Sequence, residues 1–282
     1  FPKNIFKNLQ IPSNMVNKVI ENAKVSGVVV TGSTKAGKAV AKKAGEFLKK
    51  TVLELGGNDP YLILDDANIE QAVSSCVEGR ILNGGQSCIS AKRLIVTEKN
   101  IDTFTKKIID LLQTKIIGDP YDDVDLGPLA SLSARDEVHK MVTKSIKCGA
   151  KLKLGGDFSE LEGSYYPITV LSDVKPGMPA FDDEIFGPVF SIINAKNDKE
   201  AILLANESRF GLGAAVFTSD IERGEKIANE KIQAGISFVN DYVKSDPRLP
   251  FGGIKSSGYG RELSSYGLME FVNIKTVVVH KS

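Results

Sequence analysis

Val28-Val29-Val30-Thr31-Gly32-Ser33-Thr34-Lys35-Ala36-Gly37-Lys38 reads as a short buried strand passing through a Gly/Ser turn into a helix that continues to about residue 49. The β-branched run favours a pleated strand. Such a junction presents free backbone N–H groups and the positive end of a helix dipole to an anion. The stretch is neither a Walker A loop nor a complete GxGxxG. Alone, it is better read as an ordinary strand-to-helix turn.

The alternation continues in both directions. Upstream, Met15, Val16, Val19, Ile20 and Ala23 recur at helical spacing behind Pro12-Ser13. Downstream, residues 51–55 form a second strand stopped by Gly56-Gly57, and 61–64 a third. A helix over 68–82 ends at Asn83-Gly84-Gly85; a strand over 92–97 and helices over 100–114 and 132–148 follow. Short strands with Gly and Pro turns fill 151–194. Helices near 197–207 and 220–232 separate strands near 214–217 and 236–239, and the nearly uncharged run 271–279 reads as a last strand. This order predicts α/β layers around a largely parallel sheet. It divides into a small unit over 1–56, a larger domain over 57–268 and a terminal strand segment over 269–282.

Composition narrows the function classes. With 282 residues, 42% of them hydrophobic, the chain can bury a sizeable core. A formal net charge of +1 gives no reason to expect nucleic acid or an anionic membrane as partner. Lys42, Lys43, Lys49 and Lys50 read as the solvated face of a helix. Cys76, Cys88 and Cys148 are odd in number and widely spaced, which argues against a disulfide framework and for a reducing, cytoplasmic setting. Only His139 and His280 are present, with no CxxC or HExxH, so no metal site is expected. No apolar run approaches the roughly 20 residues of a bilayer span. No signal peptide opens the chain. It starts at Phe1-Pro2-Lys3-Asn4 rather than at Met, so a processed or cropped product is expected.

Three segments offer chemistry. In Leu53-Glu54-Leu55-Gly56-Gly57, a carboxylate within an apolar strand is costly unless paired or protonated. Desolvation would raise its pKa toward that of a general base working near neutrality; a strand-end glutamate facing solvent is the equal alternative. In Asn83-Gly84-Gly85-Gln86-Ser87-Cys88, turn-forming residues just past a helix place a thiol on a loop, where it can react. Cys76 and Cys148, at helical positions, read instead as buried and inert. Asp182-Asp183-Glu184-Ile185-Phe186-Gly187-Pro188 could hydrogen-bond sugar hydroxyls or be a plain surface loop. The glycines 252, 253, 258, 260 and 267 constrain the backbone around Pro250-Phe251-Gly252-Gly253, structurally as often as functionally.

Taken together, Thr31-Gly32-Ser33-Thr34, Glu54-Leu55-Gly56-Gly57, Gly85-Gln86-Ser87-Cys88, Glu184-Ile185-Phe186-Gly187-Pro188 and Pro250-Phe251-Gly252-Gly253 resemble, in order and spacing, the aldehyde dehydrogenase superfamily. Phe238-Val239-Asn240-Asp241 and residues 245–250 resemble its bacterial or archaeal succinate-semialdehyde dehydrogenase branch. The resemblance implies an aldehyde dehydrogenase-like three-layer catalytic domain beside a truncated Rossmann-like remnant. It further implies oxidation of a small aldehyde, such as succinate semialdehyde, to the carboxylate with NAD or NADP. Cys88 would attack the aldehyde carbon, hydride would leave to the nicotinamide, and Glu54 would activate the water that hydrolyses the resulting thioester. Gly32, Ser33, Leu55, Glu184 and Phe186 would contact the cofactor. Residues 271–279 would join a neighbour's sheet in a homo-oligomer.

The sequence also departs from that pattern. Family members are usually longer, and the upstream stretch would carry most of the dinucleotide-binding sheet and a second oxyanion donor. A truncated, non-catalytic or esterase-only chain that assembles through its last strand is therefore the rival reading. In some succinate-semialdehyde enzymes an arginine six residues before the nucleophile binds the substrate carboxylate, and a cysteine two residues after it forms a redox switch. Those positions are Leu82 and Ser90 here. A local switch is not expected, and Lys244 or Arg248 would have to serve the carboxylate.

Overall fold

In the computed structural model, which describes residues 2–158 and 161–281, the N-terminal unit is a strand–helix–strand. Phe1, Ser159, Glu160 and Ser282, which the expected unit and strand boundaries include, lie outside the described residues. After α1 (Val16–Glu21), strand β1 (Gly27–Thr31) turns into α2 (Thr34–Glu46), which leads back to β2 (Lys50–Glu54). Ser33 caps α2, its hydroxyl accepting the Ala36 N–H at 3.2 Å. The two strands are parallel, with Gly27 opposite Lys50 and Thr31 opposite Glu54. Of the four lysines assigned to one helix face, Lys49 follows α2 and Lys50 opens β2. Lys49 Nζ donates to the carbonyls of Ile20 and Asn22, which ties α1 to that turn.

The larger sheet follows the alternation read above. Its elements are β3 (Pro60–Ile63), α3 (Ile69–Ile81), β4 (Arg93–Thr97), α4 (Ile101–Leu112), α5 (Leu132–Lys147), β5 (Lys151–Leu154), β6 (Thr169–Ser172), the single turn α6 (Pro179–Asp182), β7 (Val189–Ala195), α7 (Asp198–Asn206), β8 (Gly213–Phe217), α8 (Ile221–Glu230) and β9 (Ile236–Val239). The strand order is β5-β6-β7-β4-β3-β8-β9, and only β5–β6 is antiparallel. A parallel sheet needs both faces covered, and the side chains divide accordingly. Leu62, Ile95, Ile193 and Val216 pack against Val138 and Val142 of α5, Phe181 of α6, Ala201 of α7 and Ile227 of α8. Their strand neighbours Tyr61, Leu94, Ile192 and Phe217 pack against Val73 and Val77 of α3 and Phe104 and Ile108 of α4. The period-2 alternation of strand side chains thus builds two cores, one on each face, giving three layers.

The chain then returns to its beginning. Strand β10 (Gly258–Tyr259) pairs antiparallel with β2, placing Gly258 opposite Glu54, and α9 (Ser264–Glu270) follows. The run 271–279 does not form the expected strand within the chain. Ile274, Val277, Val278 and Val279 are exposed, and the first residues lie across the small sheet, where Lys50 Nζ donates to the Val272 carbonyl at 3.2 Å. A strand exists only through a hydrogen-bonded neighbour, and among the described residues none pairs with this segment. No helix of the described residues is long and apolar enough to cross a membrane.

Candidate active site

Parallel pairing sets the first half of the site. Thr31 and Glu54 end their strands side by side, so the Gly32-Ser33 turn and the glutamate leave the small sheet together. The return segment closes over Glu54: Gly258 lies opposite it, and a Cβ on Gly252 would come within 2.8 Å of its Oε1. Glu54 is buried, at 4% exposure, and neither carboxylate oxygen has a hydrogen-bond partner among the described residues. Burial, helped by the charge of Glu262 and opposed by that of Arg261, pushes its carboxyl up to about 8. The buried alternative therefore holds for Glu54.

The thiol arrives from the large domain. Past α3, Asn83, Gly84 and Gly85 take left-handed φ values of 53°, 63° and 76° in succession, which turns the chain sharply. Gly85 is required twice over, since a Cβ there would sit 2.3 Å from the Gly187 carbonyl oxygen. The Gln86 side chain accepts the Ala130 N–H at 2.8 Å and pins the loop to the segment before α5. Beneath it, the fully buried Lys92 donates to the carbonyls of Ser87 (2.9 Å) and Cys88 (2.8 Å). Burial pushes the Cys88 thiol up to about 11; the Lys92 charge opposes this, and Asp59, Glu184 and Glu54 add to it. At neutral pH the thiol is protonated and needs a base to become a nucleophile.

One cavity of about 580 Å³ is lined by Thr31, Gly32, Ser33, Glu54, Leu55, Gly56, Gln86, Ser87, Cys88, Glu184 and Phe186. It gathers the candidates from the strand-to-helix turn, the Glu54 strand end, the thiol loop and the acidic segment. Glu184 is held at its wall, accepting the Gly57 N–H at 3.1 Å and pairing with Lys92 at 3.3 Å. Gly56 lets it approach, for a Cβ there would lie 2.1 Å from Glu184 Oε2. An adjoining hollow of about 480 Å³ shares Ser33 and Glu184 and is edged by Lys35, Lys140, Lys144 and Arg209. The i,i+4 spacing of Lys140 and Lys144 was the available sequence signal for that hollow.

Other expectations fare differently. Lys244 and Arg248 do not line the cavity; they pair with Asp241 at 2.7 Å and Asp246 at 2.5 Å, and each would have to leave its acid to meet a substrate carboxylate. Cys148 is exposed rather than buried, because it caps the C-terminus of α5 on the solvent side, whereas Cys76 is buried as expected. Ser90 is buried and accepts from Arg80 at 2.9 Å, and Leu82 is exposed. Sequence reading missed the buried charges around the thiol loop: Asp59, Arg80 and Lys92. Lys92-Arg93, opening an apolar strand, was their one visible trace. Among the described residues, no group of three or more His, Cys, Asp or Glu side chains could hold a metal ion.

The aldehyde dehydrogenase family profile matches residues 1–277. The chain is 45% identical over 277 residues to the NAD(P)+ succinate semialdehyde dehydrogenase Sad of Escherichia coli (strain K12), covering 98% of this chain and 60% of that protein. It is 42% identical to the NADP+ succinate-semialdehyde dehydrogenase of Mycobacterium avium (strain 104), covering all of this chain and 60% of that one. Its fold superposes with TM-score 0.94 on the succinic semialdehyde dehydrogenase of Streptococcus pyogenes in complex with NADP+, at 40% identity, over 97% of this chain and 60% of that one. On the betaine aldehyde dehydrogenase of Staphylococcus aureus in complex with NAD+, the TM-score is 0.87 at 32% identity, over 91% and 52% of the two chains. The chain thus spans about 60% of the length of the curated relatives it matches. It belongs to the aldehyde dehydrogenase family.

Proposed function

We propose that the protein of which this chain forms the thiol-bearing part oxidises a small aldehyde, with succinate semialdehyde or a similar semialdehyde as the favoured substrate, using NAD or NADP. The observation that carries the reading is the single cavity that joins Cys88, Glu54 and Glu184.

The residues present fit a dinucleotide. Space is open beside Gly32, where a Cβ would meet nothing within 4 Å, at the start of the capped helix α2. Glu184 offers a fixed carboxylate suited to ribose hydroxyls, and the neighbouring lysine-edged hollow suits anionic groups. When bound, the cofactor supplies a hydride acceptor.

The chain's own residues do the rest. Glu54 takes the proton of the Cys88 thiol, and the thiolate attacks the aldehyde carbon. The carbonyl oxygen gathers negative charge in this step, and the Cys88 backbone N–H, bonded to no other group among the described residues, can donate to it. At the acyl stage the carbon is held on Cys88 as a thioester, whose thiolate is a good leaving group. Glu54 releases the thiol's proton to solvent through the open cavity, and the ionised carboxylate then removes a proton from the attacking water. Water can reach Glu54 through this cavity, which it lines, while Gly258 of β10 and Gly252 lie against it.

We further assign 271–279 to a strand added to a neighbour's sheet, as its exposed apolar side chains suggest, in a homo-oligomer. The three free cysteines suit a cytoplasmic setting. Incubation with succinate semialdehyde and NAD+ or NADP+, read as nicotinamide reduction, tests the oxidation; parallel incubation with p-nitrophenyl acetate separates an esterase-only chain. Turnover of neither substrate would favour a non-catalytic assembly role.

A further inference from the structure

Lys92 is fully buried, and its ammonium makes two hydrogen bonds and one ion pair. The partners are the carbonyls of Ser87 and Cys88 at 2.9 and 2.8 Å, and Glu184 Oε1 at 3.3 Å. Two of them belong to the thiol loop, and the third is the carboxylate on the opposite wall of the cavity. A lysine buried only to fill space would be replaced at lower cost by an apolar residue of the same length. Among the described residues, Lys92 is instead the one side chain that hydrogen-bonds the nucleophile's own peptide and pairs with Glu184.

The other charges around it are mostly negative. Asp59 is fully buried nearby, with neither carboxylate oxygen hydrogen-bonded to a side chain, and Glu184 and Glu54 stand around Cys88. Arg80 is also buried close by, but its guanidinium is occupied by the carbonyls of Val189 and Ile185 and by Ser90. Three carboxylates next to a thiol oppose its ionisation. A cation held against the Cys88 carbonyl counters them.

We infer that Lys92 is a positioning residue for the nucleophile: its ammonium locks the Ser87-Cys88 loop to Glu184 and makes the thiolate accessible among the surrounding carboxylates. The importance of this role rests on Cys88 being the nucleophile; the bonds themselves do not. It links the thiol and Glu184 mechanically, so displacing Glu184 loosens the thiol loop as well.

The test reads the thiol rather than turnover, so it is independent of whether the chain oxidises aldehydes. The full chain is alkylated with iodoacetamide at pH 9, and the peptide carrying Cys88 is followed by mass spectrometry, with the exposed Cys148 as internal reference. Loss of the ammonium in Lys92→Met is expected to slow modification of Cys88 at least tenfold while leaving Cys148 unchanged. Lys92→Arg, which keeps the charge, should restore the rate to within about threefold, whereas Lys92→Gln, which keeps a donor without the charge, should not. Should Lys92→Met not fold, Lys92→Gln gives the same reading. In a fourth variant, Glu184→Gln, the buried lysine stays in place without its counter-ion, and Cys88 should react faster. Wild-type rates in both neutral variants, or equal rescue by Gln and Arg, would overturn the inference; a slow thiol in an aldehyde-inactive chain would overturn only the proposed function.

Discussion

Thr31, the last residue of β1, lies directly opposite Glu54, the last residue of β2, in a parallel pair. That register places a strand-to-helix anion turn and a buried carboxylate at one end of the small sheet. Neither segment carries chemistry alone; the pairing is what sets them on the wall that faces Cys88.

The carboxylate should give the protein a distinctive pH dependence. Its folded pKa, near 8, lies above an ordinary value of 4.5. As pH rises between these values the unfolded chain releases the proton while the folded one keeps it. The protonated fold is therefore favoured at low pH, and this contribution is lost progressively from about pH 4.5 to 8. Glu54→Gln should remove that slope and be more stable at pH 8 by on the order of 2–4 kcal/mol. Urea titrations of both proteins at pH 5 and pH 8 check this.

Gly56 lets Glu184 reach the cavity wall. Gly56→Ala places a methyl group 2.1 Å from the present position of Glu184 Oε2, so the carboxylate must move. The expected outcome is an apparent NAD(P) affinity at least tenfold weaker, with esterase turnover at Cys88 less affected. Calorimetric titration beside a p-nitrophenyl acetate assay measures the two separately.

Much of this was legible in the residues, and the failures have physical causes. Glycine and β-branched patterning placed the strands of the large sheet, because a buried parallel strand has few ways to be written. The end of the chain, read as a strand, pairs with no other strand among the described residues. Residues 271–279 have strand-forming side chains, but a strand also needs an edge to pair with, which local sequence does not supply. The pairing of β10 with β2 joins positions some two hundred residues apart, and no periodicity announces it. Lys92 and Arg80 were missed for a related reason: buried charges are recognisable only through their partners, and theirs are mostly backbone carbonyls, with Glu184 and Ser90 distant in sequence or unremarkable in type.

Arg80 illustrates what those carbonyls hold. It is buried, and it donates to Val189 O at 2.7 Å, Ile185 O at 2.9 Å and Ser90 Oγ at 2.9 Å, which ties α3 to the Glu184 segment and to the thiol loop. Arg80→Met keeps the bulk and leaves these acceptors unpaired, at an expected cost of about 3 kcal/mol. A urea midpoint shift with an unchanged slope is the corresponding measurement.

The exposed run Ile274 to Val279 should govern assembly. Deleting residues 271–282 is expected to lower the oligomeric mass while leaving Cys88 alkylation unchanged. Size-exclusion chromatography with light scattering reports the first, and peptide mapping the second.

The most direct test of Cys88 and Glu54 as nucleophile and base is to trap the acyl group. The chain is mixed with p-nitrophenyl acetate, quenched in acid and digested, and the acetyl mass is located. The account predicts one acetyl group on the Cys88 peptide, persisting much longer in Glu54→Gln and absent in Cys88→Ala. An acetyl group elsewhere, or one on Cys88 that clears equally fast without Glu54, would contradict it.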